Sequence, residues 1–107
     1  MTHSIFPFLA LVMLTLMVGC ASPDREYWRA TPHSVEIDGR RYEVYAHMEE
    51  TRPRVQVIRM GYARRPEHRA ILLAMIQAAE QATGCHVIEG SAVGDSGVMN
   101  ARLSCGG

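Results

Sequence analysis

From Cys20 onward the chain contains no Phe, and only 15 of its 88 residues are Leu, Ile or Val. Material this sparse closes one thin core, so the stretch can be one small domain that needs a covalent staple or strong local signals to hold it. Its charge argues for folding rather than disorder. The 107 residues carry 11 basic and 11 acidic side chains, and a net charge of zero lacks the self-repulsion of a disordered chain. The same balance argues against nucleic acid as a partner, because phosphate-binding domains carry a basic excess.

Residues 1–19 are of another kind: none of the chain's charged residues lies there. Ile5 to Val18 is a 14-residue apolar run broken only by Pro7 and Thr15. A membrane span needs about 20 apolar residues to cross roughly 30 Å of hydrocarbon, whereas a run of this length fits a signal peptide. The run ends in Leu16-Met17-Val18-Gly19-Cys20. This resembles the lipobox of bacterial lipoproteins, in which a small residue precedes a Cys after a Leu-rich core. The resemblance implies cleavage after Gly19 and a diacylglyceryl group on the thiol of Cys20. By the sorting rule of enteric lipoproteins, Ala21 in place of Asp implies the periplasmic face of the outer membrane, with secretion to the periplasm as the alternative.

Residues 20–33 carry two prolines and no apolar periodicity, and read as a lipidated N-terminus and tether of at most about 45 Å. Within them Tyr27 and Trp28 could dock on the domain or sit at the lipid interface, docking being the plainer expectation.

The strand signals begin at Val35-Glu36-Ile37. Asp38-Gly39 then supplies a two-residue type I′ turn, and Arg41 to Ala46 continues the alternation. That turn fixes the register: Val35 faces Tyr42 and Glu36 faces Arg41, one apolar pair and one of opposite charge. After a polar connection from His47 to Pro53, the β-branched stretch Val55 to Met60 predicts a third strand.

A helix is expected over 66–83. Pro66 and Glu67 suit its first turn, Gly84 its left-handed stop, and Ile71, Leu72, Met75, Ile76, Ala79 and Ala82 recur on one face. Cys85 to Glu89 and Val98 to Cys105 read as two more strands. In the second of them Met99, Ala101, Leu103 and Cys105 point one way. If residues 90–97 turn the chain symmetrically about Asp95, Cys85 falls opposite Cys105 and Val87 opposite Leu103. Facing strand residues lie within disulfide reach, so Cys85 and Cys105 are expected to bond outside the cytoplasm. Closing that loop contributes about 3 kcal/mol in the chain-entropy model.

Chemistry is sparse. Gly94-Asp95-Ser96-Gly97 resembles the nucleophile motif of trypsin-like proteases, but Val98 replaces the final Gly, and the remaining chain has no room for two barrels and a distant triad. A hairpin turn would choose the same four residues. There is no phosphate loop, dinucleotide fingerprint or Cys-x-x-Cys, and His33, His47, His68 and His86 show no metal spacing. His47 could meet Glu49, Glu50 or His68, and Cys85-His86 could bind metal if left reduced. All 11 basic residues are Arg. Six of them, Arg52, Arg54, Arg59, Arg64, Arg65 and Arg69, fall within 18 residues and mark a candidate patch for an anionic partner.

These readings predict a signal peptide over 1–19 and one α+β two-layer domain over 34–107. Its antiparallel sheet of about five strands, in sequence order βββαββ, is covered by the helix 66–83 and ends in a disulfide-stapled hairpin. The expected function is a membrane-anchored envelope lipoprotein, a non-enzymatic accessory or interaction module with no catalytic residues, metal or cofactor. Its expected partners are an envelope protein, anionic lipid or peptidoglycan. The alternative is a small periplasmic ligand- or metal-binding protein.

Overall fold

The computed structural model describes residues 22–106, so the expected signal peptide over 1–19, the expected lipidation site Cys20, and Ala21 lie outside the described residues. Asp38 and Gly39 have φ of 51° and 79°, both positive as a type I′ turn requires. They join strand β1 (His33–Ile37) to β2 (Arg40–His47) with Val35 opposite Tyr42 and Glu36 opposite Arg41, the register expected from the turn. β3 (Arg54–Arg59) pairs antiparallel with the other edge of β2.

A short 3-10 turn over Arg65–Glu67 leads into helix α1 (His68–Thr83), which Gly84 ends at φ 72° by donating its N–H to the carbonyl of Glu80 at 2.9 Å. The expected span 66–83 therefore divides into two kinds of helix. The Glu67 carboxylate ties the first turn down: its Oε2 accepts the Arg64 N–H at 3.0 Å and the Arg40 guanidinium at 3.2 Å.

β4 (His86–Val87), β5 (Val93–Gly94) and β6 (Val98–Ser104) complete an antiparallel sheet of order β1-β2-β3-β6-β4, with β5 also on β6. β6 thus inserts between β3 and β4. Cys85 and Cys105 are joined by a disulfide, with His86 opposite Ser104 and Val87 opposite Leu103.

The expected symmetric turn about Asp95 does not persist. Val93 faces Asn100 and Gly94 faces Met99, a register three residues out of step with that at β4. The extra residues loop out between β4 and β5, and Ser91 covers the gap. Its hydroxyl donates to the Ile88 carbonyl at 2.6 Å and accepts the Arg102 N–H at 3.1 Å, standing in for a missing ladder partner. The true turn is tight, with Asp95 Oδ1 accepting the N–H groups of Gly97 and Val98 at 2.8 and 2.9 Å. The four protease-like residues are a turn of this kind, as their composition suggests.

One sheet face packs under α1. Tyr42, Val44, Val55, Val57, Met99, Ala101 and Leu103 are buried there in one cluster with Ile71, Met75 and Ala79. The helix is rotated from the expected face: Ala74 and Ala78 are buried, while Leu72, Ile76 and Ala82 flank the core only partly covered. Ala74 and Ala78 lack bulk, so they can be buried against the sheet beside the larger Ile71 and Met75.

Candidate functional site

Strand alternation puts Tyr45, His47, Arg54, Gln56, Asn100 and Arg102 on the face away from α1. Cross-strand pairing sets them in two rows, His47–Arg54–Arg102 and Tyr45–Gln56–Asn100. A polar sheet face would ordinarily be left to water. Here the segment expected as a tether packs on it from Asp24 onward, with a 3-10 turn at Arg25–Tyr27 ahead of β1.

Gln56 is fully buried, and its amide makes the docking specific. Gln56 Oε1 accepts the Asp24 N–H at 2.8 Å, while Nε2 donates to Asp24 Oδ2 and Asn100 Oδ1, both at 2.9 Å. Tyr27 is buried beside it and stacks on His47 with ring centroids 4.7 Å apart. Burial pushes the Tyr27 phenol above its usual pKa, and the positive charge of Arg54 opposes the shift. Arg54 closes the group. It donates to Glu50 from Nε and Nη2 at 2.9 and 3.1 Å and to Glu26 from Nη1 at 2.6 Å, which holds the guanidinium firmly charged. His47 spans the join, with Nε2 2.6 Å from the Glu26 carbonyl oxygen and Nδ1 3.2 Å from a Glu49 carboxylate oxygen. The N–H of Glu49 itself, and then His47, hold that carboxyl below its ordinary pKa.

Between the docked turn and the looped-out residues lies a cleft of about 210 Å³, bordered by Glu26, Tyr27, Arg54, Val93, Asn100 and Arg102. Arg54 and Arg102 are directly opposed across β3 and β6. Arg54 is met by two carboxylates, whereas among the described residues Arg102 has no ion-pair partner.

The six arginines of the expected anionic patch do not form one surface. Arg54 and Arg59 sit at opposite ends of β3, about 17 Å apart along the strand. Arg54 belongs to the docked turn, and Arg59 donates to the Gly61 carbonyl at 3.1 Å and to Ser96 Oγ at 3.3 Å. Arg52 lies in the β2–β3 connection at the Arg54 end. Only Arg64, Arg65 and Arg69 stay together, on exposed positions around the start of α1 beside the highly exposed Tyr62.

His47 and His68 are at opposite ends of β2, since Glu67 pairs with Arg40 at the strand's start. His86 is exposed, with Nδ1 3.5 Å from Glu80. Among the described residues no three His, Cys, Asp or Glu side chains converge as metal ligands, and no helix is long and apolar enough to cross a membrane.

Gln56 and Asn100, central here, were not singled out by sequence reasoning. The available signal was a polar residue interrupting Val55-Gln56-Val57-Ile58, where a two-sided buried strand would carry an aliphatic one. Compared with protein-family models, curated proteins and solved structures, the chain matches none.

Proposed function

We propose that this chain is a lipid-anchored protein of the bacterial envelope: residues 1–19 direct export, Cys20 bears the lipid, and the α+β domain serves as a non-enzymatic interaction module at the periplasmic face of the outer membrane. The distribution of the three cysteines carries this reading. Cys85 and Cys105 form a disulfide, a bond that persists in oxidising compartments and is rare in the cytosol. The third, Cys20, ends an apolar run that resembles a lipobox. The internal pairing of Arg54 with Glu26 and Glu50 supports a non-enzymatic role, because it commits these charges to holding the fold. Of the six arginines of the expected patch, the exposed Arg64, Arg65 and Arg69 stay grouped and available for an anionic envelope partner.

Intact mass of the chain from bacterial membranes, taken with and without reduction and thiol alkylation, tests the proposal. The expected species lacks residues 1–19, carries diacylglyceryl and acyl mass, and shows two thiols only after reduction. A full-length chain with three free thiols overturns it.

A second reading, a small periplasmic ligand-binding protein, draws support from the cleft beside Arg102, which has no ion-pair partner among the described residues. The two readings part on whether a small anionic ligand titrates that cleft.

A further inference from the structure

We propose that the turn around Arg25–Trp28 is a second membrane contact, in which the Trp28 indole seats the domain on the headgroup–acyl boundary of the bilayer that holds Cys20. The inference rests on the lipid-anchor reading and adds an orientation that a lipid on Cys20 alone does not supply.

Adjacent aromatic residues of the turn are treated in opposite ways. Tyr27 is 1% exposed, whereas Trp28, the chain's single tryptophan, is 64% exposed. The indole is nevertheless held in place: its Nε1–H donates to the Pro23 carbonyl at 3.1 Å, and the Arg25 guanidinium lies 5.7 Å from the ring centroid. Fixing a large ring in water costs conformational entropy without burying its surface. At a lipid interface the same ring, apolar in body and polar at one edge, is in its favoured environment.

The length of the connection places it there. Asp24 is locked to Gln56 and Glu26 to Arg54, so the freely extensible chain ends at Pro23. From Cys20 to Asp24 the reach is at most about 14 Å, against the roughly 45 Å expected had the whole segment been a tether. The headgroup layer of one leaflet is itself about 5–8 Å thick. A domain on so short a lead lies against the bilayer, and the part of it nearest the anchor is this turn.

The charges suit an anionic surface. Asp24 and Glu26 are engaged by Gln56 and Arg54, while Arg25 and Arg29 are exposed and, among the described residues, have no ion-pair partner. Because the turn lies on the sheet face opposite α1, the contact turns α1 away from the membrane.

The lone tryptophan is its own probe. The chain purified from its membrane is reconstituted into vesicles of phosphatidylethanolamine and phosphatidylglycerol, with or without lipids brominated near the headgroup, and intact mass is measured on the same sample. The expected result is blue-shifted Trp28 emission, quenched several-fold by the brominated lipid and several-fold less by acrylamide than in the urea-unfolded chain. Arg25→Glu, facing repulsion from phosphatidylglycerol, is expected to float with the vesicles but regain acrylamide access. Protein that floats while its emission stays water-exposed and indifferent to bromine overturns the contact, as does protein that does not float at all. Bromine quenching in a chain of unmodified mass removes the lipid anchor and leaves the contact standing.

Discussion

Beneath α1, Val44, Val55 and Val57 are buried with Met75 and Ala78 in a cluster of aliphatic side chains around the ring of Tyr42. On the reverse of the same strands Gln56 is buried just as fully, yet its partners are Asp24 and Asn100, with Tyr27, His47, Arg54 and Glu26 around them. The helix face is held by area removed from water, which is non-directional and tolerates a rotation of α1 onto its alanines. The turn face is held by hydrogen bonds and ion pairs whose geometry leaves one position for residues 24–28. Removing a methyl from the first loosens it. Removing a partner from the second leaves the buried amide of Gln56 unsatisfied.

The largest expected effect comes from Met75→Ala, which opens a cavity at the centre of the helix face and should cost about 2–5 kcal/mol. Denaturant unfolding followed by far-UV dichroism should show one transition shifted as a whole. A loss below about 1 kcal/mol would mean the thin core collapses around the gap. Gln56→Ala comes next, at about 1–3 kcal/mol, since the Asp24 N–H and Asn100 lose their acceptor and donor. Hydrogen exchange sharpens the contrast: amides of residues 24–30 should exchange faster while those of α1 keep their protection. Equal loss in both would merge the two faces into one cooperative unit.

The smallest effect is expected at Asp95, which belongs to neither face. The N–H groups of Val98 and Gly97 hold its carboxyl below the ordinary aspartate range. A folded pKa below the unfolded one contributes stability above the unfolded value and loses it as pH falls through the folded one. Asp95→Ala should therefore cost about 0.5–1 kcal/mol at neutral pH, the exposed site being screened by solvent, and less at each step into the acid range. Thermal unfolding of both proteins across that range checks it. A difference that grows on acidification would assign the turn's stability to something other than its charge.

The parts legible in the sequence are those fixed by near neighbours. Asp38-Gly39 sets the register of β1 and β2 because both φ angles must be positive within two residues, and Gly84 stops α1 for the same local reason. Counting outward from a turn places Cys85 opposite Cys105, and the pairing holds even though the register at β5 is three residues out of step with that at β4. That count succeeded because Val87 and Leu103 must share the buried face, and the loop-out falls between β4 and β5 without disturbing it. The arginine patch is less legible: closeness along the chain is not closeness in space when a six-residue strand runs from Arg54 to Arg59.

The sequence by itself determined the hairpin, the helix, the disulfide and the division into an uncharged N-terminal segment and a charged domain, all through periodicity, turn chemistry and spacing. Only the tertiary structure decided that β6 enters between β3 and β4, and that residues read as a tether become the cover of a polar sheet face. Both depend on partners 32 and 44 residues apart, Asp24 with Gln56 and Gln56 with Asn100. No local pattern announces such pairs, because each is stable only when the other strands have already removed the water that would satisfy it.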